Sequence, residues 1–342
     1  MAIAWLQFFA GAILIVIAGV TLTKSADTLG RALGLTTGWA GVIILPFATS
    51  LPELVSSVRA ALILAPDLAV GNLFGSNLFN IAIIAIVDLM QGKGSLFIRL
   101  KDGHAMSASI SVILISIAGL GLLLPFPTLW GTQIGFDTVL LLGSYLLAAR
   151  IITVYEKKGM TLADLDPRRR KEKEEKEHEE AISRGKTKKA ILSFVLGAAV
   201  ILVAGTYLTD ASDVIALETG LGRTFVGSIF LAIATSLPEV VTTSTAARLG
   251  KLDMAVGNVF GANMYNMFIL AIVDLVYLPG PILKASSQGH LLTLLMCTIL
   301  TALAITGLVN RSKRAIGYLG IDSLVIVVVY LSAVAALFFV RL

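Results

Sequence analysis

Residues 48–60 read ATSLPELVSSVRA, and residues 234–246 read ATSLPEVVTTSTA. A second matched pair follows, DLAVGNLFGSNLFN at 67–80 and DMAVGNVFGANMYN at 253–266. Both pairs are offset by 186 residues, and 24 of the 42 positions from 48–89 are identical in 234–275. Unrelated apolar helices share Leu and Val by chance. They do not share Pro, Glu, Asn and Gly in register, so the chain carries an internal duplication of the kind found in transporter folds.

The sequence around these motifs is that of a membrane protein. Of 342 residues, 56% are hydrophobic and 14% charged, and the mean hydropathy is +0.89. Soluble domains carry roughly 25% charged residues, so a soluble enzyme, a disordered chain and a disulfide scaffold are all excluded. The single cysteine, Cys297, cannot form an internal disulfide. Ten apolar segments are long enough to cross a bilayer as helices: 2–23, 37–63, 68–90, 105–125, 129–152, 189–209, 224–248, 254–277, 288–309 and 315–340. The first lacks a basic n-region and is read as a span rather than a signal peptide.

Placing the N-terminus outside puts 22 of the 27 Lys and Arg residues in inside loops. That bias orients a membrane protein, with both termini outside and the central loop cytoplasmic. The net charge of +5 is thus a matter of topology and does not imply a nucleic-acid partner. Five spans separate each motif from its copy, and an odd number reverses direction. The expected fold is therefore an all-α membrane protein of ten transmembrane helices in two inverted five-helix repeats, 1–154 and 189–342. They are joined by a charged cytoplasmic linker, 155–188, read as a solvated, partly helical tether.

Glu53 and Glu239 carry the chemistry. Each lies near the middle of an apolar span, where an acid costs roughly 2.5 kcal/mol or more. Neither has a Lys or Arg within a helical turn; Arg59 is six residues from Glu53, and its counterpart is Thr245. Pro52 and Pro238 lack an amide hydrogen and free backbone carbonyls around Ala48 and Thr49, and around Ala234 and Thr235. Each Glu then starts a new half-helix just past the break. Ser76, Asn80 and Asn266 are candidate ligands from the second motif. Asn72, Asn258, Asn77 and Asn263 serve equally well as links between helices. Two bidentate carboxylates with the carbonyls of Thr49 and Thr235 give six oxygens, within the range of about 6–8 for Ca²⁺. With no His or Cys in this set, zinc and copper do not fit. His104, His178 and His290 fall near loops and span ends and are expected to be bystanders. Asp88 and Asp274 are expected to be structural.

The doubled pattern TSLPE followed by GNxFGxNxxN resembles the cation/calcium exchanger superfamily, and within it the sodium/calcium exchanger branch. The resemblance covers essentially the whole chain. It implies a secondary antiporter, not an enzyme, that exchanges Ca²⁺ for Na⁺ by alternating access, with those ions as cargo and no organic cofactor. By position, Glu53 and Glu239 would hold Ca²⁺ with Thr49 and Thr235, while Ser50, Ser76, Asn80 and Ser236 would serve flanking Na⁺ sites. Two positions depart from the family pattern: Ala262 and Asn266 stand where Ser and Asp are common. The coupling is therefore open to alteration, and two acids alone balance either one Ca²⁺ or two monovalent ions. The expected partners are the bilayer and inorganic cations, with a monomer as the working unit in a plasma or inner membrane. Proton/calcium exchange through the same acids is the alternative. A cation channel fits less well, because inverted halves within one chain argue against it.

Overall fold

The computed structural model describes residues 1–32, 45–92, 94–124, 126–129, 132–158 and 184–340. The chain runs through α1 (Ala2–Ala32), α2 (Leu45–Thr49), α3 (Leu51–Leu62), α4 (Pro66–Met90), α5 (Gly103–Leu123) and α6 (Phe136–Lys158). It continues through α7 (Arg184–Thr219), α8 (Arg223–Thr235), α9 (Leu237–Arg248), α10 (Leu252–Val276), the short α11 (Ile282–Ala285), α12 (His290–Asn310) and α13 (Ile321–Val340). Eight of these helices are long and apolar enough to span a membrane. The bent pair α8 and α9, which meet at 44°, brings the number to nine.

The protein is thus an all-α membrane protein with eight to nine candidate spans among the described residues, where ten were expected. The span expected at 37–63 begins outside the described residues, and the rest of it is split into α2 and α3. Most of the 155–188 linker, with His178, also lies outside them.

Several expected boundaries move. The first helix extends past residue 23 to Ala32, and α7 covers 36 residues rather than 189–209. The span expected from 129 starts at Phe136, because Thr128 and Gly135 bridge across a turn first. The span expected from 315 starts at Ile321. It is preceded by a two-residue hairpin, β1 (Ala315–Ile316) with β2 (Leu319–Gly320), the one pair of strands among the described residues. Gly317, at φ +65, makes that turn in a conformation that only glycine adopts freely.

Helices α4 and α10 form the centre. They are 72% and 78% buried within the protein, against 22–50% for the other single-helix spans. Helices in lipid gain nothing from the hydrophobic effect when they pair, so close approach through small residues has to supply the packing. In α4 this is done by Gly71 and Gly75. A β-carbon at Gly75 would stand 2.0 Å from the Ser228 carbonyl oxygen, and one at Gly71 3.0 Å from the Ser228 amide nitrogen. The facing segment, Val226–Leu231 of α8, is a π-helical turn, a form that recurs at functional sites.

The two halves are braced to each other by repeated contacts. Asp67 at the start of α4 accepts the Ser287 amide at 2.5 Å and lies 3.2 Å from His290 Nε2. Asp253 at the start of α10 accepts the Lys101 amide at 3.0 Å and lies 3.0 Å from His104 Nε2. Each residue in the first set is 186 positions from its counterpart in the second. His104 and His290 are therefore not bystanders, since each ties its own half to the other half's central helix. Asp88 and Asp274 are structural as expected, each accepting a backbone amide eight residues on, from Leu96 and Ile282, at 2.6 Å.

Gly75→Ala should therefore damage the fold, because the obstruction is backbone and cannot rotate away. Overpacking costs typically about 1–3 kcal/mol. The expected result is loss of the monodisperse peak on size-exclusion chromatography after mild heating. Gly143→Ala, where a β-carbon meets nothing within 4 Å, should behave as the parent.

Candidate cation site

The break expected at Pro52 lies at Ser50, between α2 and α3. The Ser50 amide still bonds to the Pro46 carbonyl at 2.8 Å, and the Ser50 carbonyl accepts from Leu54 at 3.1 Å. Between those bonds Pro52 has no hydrogen to give the carbonyl of Ala48. The second copy repeats this with Ser236, which bonds to Ala232 at 3.0 Å and accepts from Val240 at 3.2 Å. Ser50 and Ser236 share one backbone conformation, φ −87 ψ 14 and φ −85 ψ 7, in the sparsely populated bridge region. Glu53 and Glu239 each follow in the first turn of the next half-helix, where the positive end of the helix dipole favours a carboxylate.

The two breaks meet inside the protein. Ser50 Oγ donates to Glu239 Oε1 at 3.1 Å, and Ser236 Oγ donates to Glu53 Oε1 at 2.7 Å. Thr235 and Ser76 also face the Glu53 carboxylate, and Thr49 faces that of Glu239. Both acids are buried, and the two carboxylates lie within electrostatic range of each other. Arg59 does not neutralise them. It points away and grips Asp210 through two hydrogen bonds of 2.8 and 2.9 Å.

The second motif forms a lattice beside the acids. Asn77 and Asn263 exchange bonds across α4 and α10, each side-chain amide donating to the other's backbone carbonyl, at 3.3 and 3.1 Å. Asn80 donates to Asn263 Oδ1 at 3.0 Å, and Asn266 donates to Asn77 Oδ1 at 2.9 Å. These bonds fix the outer asparagines with their carbonyl oxygens free. Asn80 Oδ1, Asn266 Oδ1, Glu53 Oε2 and Glu239 Oε2 are all buried without a hydrogen-bond partner. Leaving a buried polar atom unpaired costs about 1–3 kcal/mol. All four atoms are oxygen acceptors, the chemistry that a hard cation takes.

The candidate residues are therefore not all alike. Glu53, Glu239, Ser50 and Ser236 are joined directly across the halves. Thr49, Thr235 and Ser76 line the carboxylates, although Thr49 Oγ1 is also 3.3 Å from the Pro46 carbonyl and Ser76 Oγ 3.4 Å from that of Ala232. Asn80 and Asn266 are held by the asparagine lattice with their carbonyl oxygens free.

Asn72, which the sequence left between two roles, takes part in the fold around the site. It donates to Ser57 Oγ at 2.9 Å and accepts from Thr235 Oγ1 at 3.0 Å. Its copy Asn258 donates to Thr243 Oγ1 at 3.1 Å and keeps its carbonyl oxygen unpartnered. Asn77 and Asn263, left between the same two roles, link the two central helices.

Comparison with known proteins agrees with this geometry. The family profile described as sodium/calcium exchanger protein matches residues 3–154 and 189–339. The sodium/calcium exchanger MaX1 of Methanosarcina acetivorans is 26% identical over 279 residues, covering 77% of this chain and 80% of its own. The inner membrane protein YrbG of Escherichia coli is 27% identical over 322 residues, covering 93% and 94%. A solved structure of the sodium-calcium exchanger NCX_Mj superposes with a TM-score of 0.64 at 19% identity, over 98% of each chain, and shows the same fold. With both copies of the motif inside the matched halves, the chain belongs to the sodium/calcium exchanger protein family, whose members are membrane transporters and not enzymes.

Proposed function

We propose that this protein exchanges Ca²⁺ for Na⁺ across its membrane by alternating access, through a site between Glu53 and Glu239. The observation that carries the reading is the set of four buried, unpartnered acceptor oxygens on Glu53, Glu239, Asn80 and Asn266. Carbonyls near the two helix breaks extend the set towards the 6–8 oxygens that Ca²⁺ takes. The hydroxyls of Ser50, Ser236, Ser76, Thr49 and Thr235 provide neutral oxygens for monovalent ions beside it. In this reading the chain forms ten helices in two inverted halves, with both termini outside and the 155–188 loop cytoplasmic, as the Lys and Arg distribution favours. Relatives named as sodium/calcium exchanger and as sodium/potassium/calcium exchanger support a sodium-driven cycle.

Glu53→Gln and Glu239→Gln should each reduce ⁴⁵Ca²⁺ uptake by proteoliposomes under an outward Na⁺ gradient to the level of protein-free vesicles. Uptake that persists in either variant removes the glutamates from the pathway.

The charge of the site also bears on stoichiometry. Positions 80 and 266 are both amides, so the acids number two. One Ca²⁺, two Na⁺ or two protons each bring the site to neutrality. Exchange of two monovalent ions for one Ca²⁺ is therefore expected, and it moves no net charge. Initial rates should stay constant when K⁺ and valinomycin set the membrane potential from 0 to −120 mV. A rate that rises severalfold with potential rules out two-for-one exchange.

The same count keeps proton coupling as the second reading, because two facing buried carboxylates can discharge by taking up protons. A pH gradient imposed without Na⁺ separates the two. Sodium coupling predicts no Ca²⁺ uptake under that gradient and a decline in Na⁺-driven uptake as pH falls, since protons then compete for the carboxylates. Proton coupling predicts uptake driven by the gradient alone.

A further inference from the structure

We propose that the protein holds a second cation site at the far end of α4, around Asp88 and Asp322, and that it takes Ca²⁺. This inference does not depend on what Glu53 and Glu239 bind.

Asp88 is fully buried near the end of α4. Its Oδ1 accepts the Leu96 amide at 2.6 Å and Gln91 Nε2 at 2.8 Å, and its Oδ2 accepts the Gly320 amide at 2.7 Å. These bonds draw the loop after α4 and the β2 hairpin strand onto one carboxylate. Asp322, two residues beyond Gly320, places a second carboxylate within electrostatic range of the first. Ser95 converges on the same point, since a β-carbon at Gly320 would stand 2.9 Å from Ser95 Oγ and 3.0 Å from Asp88 Oδ2.

Gln91 Oε1 and Ser95 Oγ, on the loop drawn onto Asp88, are buried without a hydrogen-bond partner, and so are Asp322 Oδ2 and Ser323 Oγ in the first turn of α13. Ser95 and Ser323 are only 1% and 0% exposed, so bulk water does not satisfy them.

The duplication supplies an internal control. Gly320-Ile-Asp-Ser has a counterpart in Gly135-Phe-Asp-Thr, at an offset of 185. There the Gly135 amide lies 3.5 Å from Asp274 Oδ2, and Thr138 donates its hydroxyl to the same oxygen. Asp137 stands within electrostatic range of Asp274, as Asp322 does of Asp88. Tyr277 and Pro281 occupy the positions that match Gln91 and Ser95. The copied end therefore keeps the acid pair and the fold but spends its hydroxyl internally and lacks the other neutral donors. Among the described residues, buried side-chain oxygens without a partner occur at the Asp88 end and not at the Asp274 end.

All the donors are hard oxygens, and the two carboxylates balance one divalent charge, which selects Ca²⁺ over softer metals. An ion there would join α4 to the hairpin and to the start of α13.

The test uses the full chain carrying Glu53→Gln and Glu239→Gln, with ⁴⁵Ca²⁺ as the probe in equilibrium dialysis. About one Ca²⁺ per chain is expected to remain bound. Adding Asp322→Asn should weaken that binding at least tenfold, and adding Asp137→Asn should leave it unchanged. If Asp322→Asn does not fold, Ser95→Ala with Ser323→Ala should still weaken binding severalfold and abolish the Ca²⁺-dependent rise in melting temperature. No bound Ca²⁺, binding indifferent to Asp322 and the two serines, or equal loss with Asp137→Asn overturns the proposal. Flux by the Glu53→Gln, Glu239→Gln protein is recorded in parallel. Residual flux there counts against the transport reading alone, and the absence of a bound ion that depends on Asp322 counts against this site alone.

Discussion

Two carboxylates are buried within electrostatic range of each other inside an apolar helix bundle, with no basic side chain paired to them among the described residues, and the rest of the structure is arranged around that fact. Two unit charges 4 Å apart at an effective dielectric of about 20 repel by about 4 kcal/mol, in addition to the cost of removing each from water. Arg59, the basic residue nearest in sequence to either acid, is committed to Asp210 instead. Serine hydroxyls and helix N-termini reduce the penalty without cancelling the charge. Neutrality has to come from outside the protein, as metal ions or protons. For alternating access this is a coupling device, because reorienting a charged, vacant site is disfavoured and reorienting a neutral, filled one is not.

Holding two such groups together requires a rigid frame, and the duplicated sequence supplies it twice. The asparagines lock α4 to α10 near the middle, the Asp–His contacts of Asp67 and Asp253 brace them at the helix starts, and Asp88 and Asp274 cap the loops beyond their ends. Each brace has its repeat-related copy, so the two Ser-Leu-Pro-Glu turns cross on equivalent terms. The symmetry is not complete. The Thr235 hydroxyl bonds to Asn72 while the matching oxygen of Asn258 has no partner, and Ser76 has a hydroxyl where Ala262 has none. The side of the site around Glu53 is therefore richer in neutral oxygen than the side around Glu239.

The sequence showed most clearly what depends on backbone chemistry. A proline before an acid in an apolar span breaks a helix wherever it folds, so the turns at Ser50 and Ser236 and the depth of the glutamates could be read directly. What depends on contacts between distant elements was much less legible. His104 and His290 sit near span ends, where a lone histidine carries no signal. Their partners, Asp253 and Asp67, are about 150 and 220 residues away. The offset of 186 relating the two pairs was present in the sequence but is diluted among unmatched neighbours. The Gly-x-Asp-Ser/Thr motif was harder still, because its offset is 185 and it falls at the edge of an apolar run. The expected spans at 129 and 315 absorbed it as membrane helix, though Gly135 and Gly320 pair as extended backbone and only the aspartates begin the helices. Hydropathy sees neither hairpins nor caps, and helix ends set by capping are where it errs by six or seven residues.

Other departures from symmetry lie where the two duplicated halves can differ in stability. A perfectly duplicated carrier would be equally stable facing either way. Here Arg59 and Asp210 form a two-bond ion pair between α3 and α7, and Arg223 and Asp213 form another between α8 and α7. The positions matching the first pair are Thr245 and Lys24, which cannot make the same contact. The centre keeps the Ser-Leu-Pro-Glu turns in both halves, as a cargo that meets similar ligands from either side would require. The ends have diverged, so differences in stability between the two orientations can arise there without altering the ligands. Substitutions at the ion pairs and at the glutamates should thus separate: the first changes how the protein distributes between its states, the second what it can carry.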